Sequence, residues 1–174
     1  MKKTVCMLLT CVFVLGLVFV MNACGSEEKK EIEIPEGYTV YENGDISFAY
    51  PKDWTKTDGS TVTLTGKDGN NVTVVYENKN DMYEKMTTES YKTDMIPFYE
   101  QMGLTVTNAK VEQAQTNGLS ITKITHIMNM NGTKMDQTQY IATVGEKTYT
   151  VTVTEIKSDA ELVQTVFDTL CEVK

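Results

Sequence analysis

From Tyr38 to Glu155 apolar and polar residues alternate along most of the chain, and Thr fills many of the polar positions. Alternation sends successive side chains to opposite faces of a strand, and β-branched Thr suits a half-exposed pleated surface. Ile46, Phe48 and Tyr50 alternate on one strand, ended by Pro51. Val62 and Leu64 mark the next, and Val72, Val74 and Tyr76 a third. The run Lys67-Asp68-Gly69-Asn70-Asn71 between the last two predicts a hairpin turn by its Asp-Gly pair. It lacks the spaced acids and distal Glu of a calcium loop. Downstream the pattern predicts four longer strands, over 104–115, 119–130, 133–144 and 147–155. Asn117-Gly118, Asn131-Gly132 and Gly145-Glu146 supply tight turns between them. Such short turns join antiparallel neighbours, so these four strands form a meander. Along 119–130 Leu119, Ile121 and Ile127 fall on one face, and Ile124, Met128 and Met130 on the other. A central strand covered on both sides has that pattern.

Two segments change to a helical period. Tyr91, Met95, Phe98 and Met102 stand at i, i+4, i+7 and i+11, a single face of a helix ending at Gly103. Pro97 within it predicts a kink or an irregular first half. In the second, Ser158-Asp159-Ala160-Glu161 reads as a capping box, followed by a stripe of Val163, Val166, Phe167 and Leu170. The expected class is α+β, a central, mostly antiparallel sheet of about six to eight strands with helices. No internal repeat or composition shift after residue 38 marks a second domain, so 38–174 is expected to be one.

The first residues give an address. Lys2 and Lys3 precede 17 uncharged residues from Val5 to Met21, a secretory leader by its charge and its apolar run. Met21-Asn22-Ala23-Cys24-Gly25-Ser26 resembles a bacterial lipoprotein box. There Ala23 is the small residue before the cleavage site and Cys24 the acylated acceptor; Asn22 is less typical. The expectation is a signal peptide over 1–23 and membrane attachment through an N-terminal diacylglycerol on Cys24, on the extracytoplasmic face. An uncleaved signal anchor is the alternative, and it too puts the body outside the cytoplasm. Residues 24–37 are charged and read as a solvated tether.

Composition narrows the remaining choices. The chain carries a formal net charge of −8, and all 16 basic residues are Lys. An acidic chain without Arg is poorly suited to nucleic acid, so no nucleic-acid partner is expected. Cys6 and Cys11 fall in the leader and Cys24 takes the lipid, leaving Cys171 alone, a small packing residue rather than half of a disulfide.

At Ile46-Ser47-Phe48-Ala49-Tyr50-Pro51-Lys52-Asp53-Trp54 an alternating strand is closed by Pro-x-x-Trp. With the later strand order and the closing helix, this resembles the PsbP-like superfamily over about residues 38–173. That superfamily includes the photosystem accessory protein PsbP, a Ran-binding import factor, the envelope protein DcrB and many bacterial lipoproteins. The resemblance implies a central antiparallel sheet with helices packed on both faces. It carries over no functional residue, because members do unrelated jobs. Trp54 is expected to plug one end of the core with its N–H on a carbonyl.

Chemistry is sparse. His126, the single His, alternates with Ile124 and Met128 and reads as a hydrogen-bonded core residue rather than a general base. No G-x-S-x-G elbow or phosphate loop is present in the sequence. No catalytic residue, metal ligand or cofactor is therefore expected. Among the Met and aromatic residues of 82–99, Tyr83 and Tyr99 are left as binding candidates once the helix stripe is assigned to the core. The expected function is a noncatalytic, lipid-anchored accessory protein engaging a protein partner at the envelope. The alternative is a lipid-anchored binder of a small ligand, a divalent cation or a peptide.

Overall fold

The computed structural model describes residues 32–173. The leader, Ala23, Cys24 and the first part of the tether lie outside the described residues. Among the described residues ten strands form in chain order: β1 (Tyr38–Glu42), β2 (Ile46–Pro51), β3 (Thr55–Thr57), β4 (Val62–Thr65), β5 (Asn71–Asn78), β6 (Thr105–Thr116), β7 (Leu119–Met130), β8 (Thr133–Val144), β9 (Lys147–Glu155) and β10 (Cys171–Glu172). Between β5 and β6 a 3₁₀ turn (Tyr83–Lys85) precedes the helical segment α1, which covers 88–101. The second helix, α2 (Ala160–Thr169), separates β9 from β10.

Seven strands make one antiparallel sheet in the order β3-β4-β5-β9-β8-β7-β6. The meander of β6 to β9 has the predicted turns: Asn117-Gly118 and Asn131-Gly132 both take positive φ, as tight hairpins of matching twist require. β7 is the second strand from the edge rather than central, yet both its faces are covered. A three-stranded sheet, β1-β2-β10, lies apart from the meander, and the alternation along the chain does not reveal it.

Each face of the large sheet has its own core. On one face Leu64, Val72, Tyr140, Tyr149, Val151 and Val153 pack with Ile46 and Phe48 of the small sheet and Leu162, Val166 and Leu170 of α2 and its end. On the other, Val106, Ile124, Met128 and Ile141 pack with Met86 and Tyr91. One helix therefore covers each face, in an α+β fold.

The start of α2 differs in detail from the expected capping box. Asp159 is the N-cap and accepts from the Leu162 N–H at 3.0 Å, while its own N–H donates to Glu155 upstream instead of Glu161. The buried face is Leu162, Thr165, Val166 and Thr169; Val163 and Phe167 sit half-buried at its rim. Thr169 Oγ1 accepts from Ala49 N–H at 2.8 Å and so carries on, past β10, the pairing of β2. Trp54 lies against Gly66, where an added Cβ would come within 2.8 Å of the indole. Among the described residues its N–H meets no carbonyl, in contrast to the expectation, and the ring packs partly buried against the core.

Candidate functional site

The helical segment α1 starts from Thr87, whose hydroxyl accepts from Ser90 N–H while Ser90 Oγ takes the Thr87 N–H. A π turn comes next at Tyr91–Met95, then α-helix at Ile96–Gln101. Pro97 supplies no N–H to the ladder, and a wider turn just before it accommodates that loss. This is the irregularity the proline predicted, and it moves the face. One extra residue in the turn rotates the rest of the helix by about 100°, the angle of one residue on a 3.6-residue helix. The residues facing the sheet are Tyr91, Ile96 and Tyr99, with Met95 partly buried beside them. Phe98 and Met102, expected in the core, are instead 56% and 53% exposed.

Beneath α1 a chain of side-chain bonds crosses three strands. Tyr91 OH lies 3.2 Å from His126 Nδ1, His126 Nε2 lies 3.0 Å from Gln137 Oε1, and Gln137 Nε2 donates to Thr154 Oγ1 at 3.1 Å. Register explains the placement, since His126 pairs with Gln137 and Gln137 with Thr154. An amide oxygen facing Nε2 requires the proton there, so Nδ1 accepts from Tyr91. Tyr99 completes the enclosure, its ring centroid 6.1 Å from that of His126. The ring is held by side chains on both nitrogens. Among the described residues neither nitrogen bonds a carboxylate, Ser or Cys, the pairing a general base needs.

Burial pushes the His126 pKa down, opposed only in part by the Gln137 bond, and pushes the Tyr91 phenol far above its usual range. A depressed folded pKa means that the unfolded chain takes up the proton first. Stability from this site is then full above about pH 6.5 and is lost as pH falls through the lower folded value. Urea denaturation at descending pH is expected to show this loss in the natural chain and a flatter profile in His126→Gln. Identical profiles would contradict it.

The two tyrosine candidates separate. Tyr99 faces His126, whereas Tyr83 forms part of the wall of a groove of about 720 Å³. Gln113, Gln115, Ser120, Thr122, Ile141 and Thr143, on strands β6 to β8, make much of its lining, and Glu84 and Glu172 contribute carboxylates. Thr122 holds the wall in place, donating to the Tyr83 carbonyl at 2.8 Å. Burial raises the Tyr83 pKa.

A smaller recess of about 180 Å³ holds a cluster with no local signature in the sequence. Asp45 accepts from Lys147 Nζ at 2.7 Å and from the Tyr149 hydroxyl. The ammonium also sits 5.0 Å from the Tyr76 ring centroid. Hydrogen bonds from Lys147 and Tyr149 lower the Asp45 pKa, and the bond to Asp45 raises that of Lys147. Asp45 and Lys147 are 102 residues apart, which is why sequence reading missed the pair. Cys171 is half-buried, its Sγ 3.1 Å from Ser47 Oγ.

The architecture is that of the PsbP-like fold. The solution structure of cyanobacterial PsbP (CyanoP) from Synechocystis superposes with a TM-score of 0.59 at 14% identity, covering 88% of this chain and 99% of that one. A crystal structure from Bacteroides thetaiotaomicron aligns with a TM-score of 0.49 at 16% identity, covering 74% of this chain, which spans only 45% of that one. A Pseudomonas aeruginosa protein of unknown function aligns at 0.36, with 14% identity over 73% of this chain and 87% of that one. No protein-family model matches the sequence, and no curated protein is significantly similar to it.

Proposed function

We propose that the protein is a noncatalytic accessory protein, tethered through acylated Cys24 to the extracytoplasmic face of the cell membrane. In this reading it engages a protein partner at the envelope. The observation that supports a protein partner is the pair Phe98 and Met102, both more than half exposed, Phe98 in the last turn of α1 and Met102 four residues on as its C-cap. Side chains at that spacing lie together on a helix, and paired Phe and Met form an adaptable contact surface. The helix does not need them for its own packing, because Tyr91, Ile96 and Tyr99 serve the core. The fold itself argues for no particular task, since one fold hosts many. Among the described residues no three His, Cys, Asp or Glu side chains come together. Of the small-ligand alternatives, the open groove beside Tyr83 therefore favours a peptide over a divalent cation.

The test is site-directed photo-crosslinking in intact cells. A photoreactive residue at Phe98 is expected to give one discrete adduct, lost when Met102 is changed to Glu. The same residue at exposed Lys157 should give none. Adducts of equal yield at both sites, or at neither, would argue against α1 as the docking face.

A further inference from the structure

We propose that the open half of the β6 edge, from Gln113 to Thr116, binds an extended peptide segment rich in Lys or Arg, which adds to the sheet as a strand beside β6. This goes beyond the partner contact at α1 and does not depend on it.

Among the described residues β6 pairs with β7 on one side and with no strand on the other. Its first half is closed to newcomers. The register shifts between Thr107 and Lys110, with Asn108 at φ 56°, and a bulge of this kind turns an edge away from pairing. Further along, the Val111 N–H donates to Thr88 Oγ1 of α1 at 2.9 Å. That bond also fixes the geometry of the rest of β6. If the N–H of Val111 points away from β7, the two-residue period points those of Gln113 and Gln115 the same way. Among the described residues no loop or side chain takes either N–H. Among the described residues the edge is thus covered as far as Val111, and the outward backbone groups of about four residues, roughly 13 Å, are left unpaired, with Thr116 Oγ1 at the far end donating to the Phe167 carbonyl at 2.8 Å.

The uncovered part borders the groove of about 720 Å³, which both Gln113 and Gln115 line. Its charge selects the occupant. Among the described residues Glu84 and Glu172 line the groove and form no ion pair, and no lysine lines it. The whole chain is acidic, at −8. Main-chain pairing at the edge would supply affinity, the carboxylates would select basic side chains, and Tyr83 offers a ring against which a Lys or Arg stem packs.

The probe is a fluorescein-labelled peptide of eight residues, alternating Lys and Thr, added to the full chain in a nonionic detergent. Binding is expected by anisotropy, weakening with salt, with slowed hydrogen exchange confined to the segment around Gln113–Thr116. The same peptide with Glu in place of Lys should not bind. The double substitution Glu84→Lys and Glu172→Lys should weaken binding by about tenfold or more. Gln115→Pro removes an outward N–H that β7 does not use, so it should leave the melting temperature near that of the parent and abolish binding. Should that variant fail to fold, a probe with alternate backbone nitrogens methylated makes the same cut from the peptide side, and it should not bind. Equal binding by the folded proline variant or by the methylated probe would overturn the proposal, as would protection elsewhere. Failure of the lysine peptide to bind, with a neutral chitin hexasaccharide occupying the groove instead, would also overturn it. Loss of crosslinking at Phe98 with peptide binding intact would count against the α1 contact alone.

Discussion

Replacing Asn70 with Ala is expected to destabilise the protein by about 3–5 kcal/mol, close to the largest effect of any single polar residue here. Asn70 is 1% exposed, in the turn that joins β4 to β5. Its Oδ1 accepts from Ile156 N–H at 2.8 Å and Lys157 N–H at 3.0 Å, and its Nδ2 donates to the Lys157 carbonyl at 2.9 Å. One side chain thus satisfies three backbone groups of the segment leading from β9 into α2. Removing it leaves all three without partners, and each such group costs about 1–3 kcal/mol when buried. Water entering the gap would recover part, which sets the lower bound. Asn70→Asp keeps the two accepted bonds but turns an oxygen toward the Lys157 carbonyl, so it should fall between the two. Equilibrium urea denaturation measures all three proteins. A loss under about 1 kcal/mol for the Ala variant would mean that the strap is dispensable.

The second large effect concerns α2. Leu162 is fully buried against Val166 and the sheet, so Leu162→Ala should cost about 3–4 kcal/mol in lost transfer energy and cavity. Phe167 is larger but only half-buried, its ring 5.6 Å from that of Tyr140 at the rim and under the Lys123 ammonium. Phe167→Ala should cost less, about 2 kcal/mol, because much of its surface already meets water. The ranking is the test: denaturation midpoints that fall further for Phe167→Ala than for Leu162→Ala would contradict the assigned face of α2.

That ranking also marks where the sequence was legible. The meander of β6 to β9 could be read almost to the residue, because period-two patterning and Asn-Gly turns are local signals. β10, with two residues, and the short β3 carry no such signal, and the small sheet gains its third strand only through pairing between distant segments, Ser47 with Cys171. Ideal helical spacing assigned Phe98 and Met102 to the core, and the π turn at Tyr91–Met95 displaced both. Pro97 announced an irregularity but not its direction. Asn70 looked like a turn residue, and it is one; its reach to Ile156 and Lys157 is a tertiary fact. His126 was legible as a buried ring through its alternation with Ile124 and Met128. Its partners depend on the register of β7 with β8 and on α1 above them. Of the two tyrosines singled out, Tyr83 lines a groove because the 3₁₀ turn docks on Thr122, which no local pattern encodes.

The proposed lipid anchoring rests on Cys24. The direct measurement is the intact mass of the protein purified from the membrane fraction, compared with Cys24→Ala. The expected result is a chain that begins at Cys24, lacks residues 1–23 and carries the added mass of a diacylglycerol. The Cys24→Ala variant should keep those residues and gain no acyl mass. A membrane-bound natural chain that retains residues 1–23 with an unmodified Cys24 would contradict lipid anchoring and leave an uncleaved apolar anchor in its place.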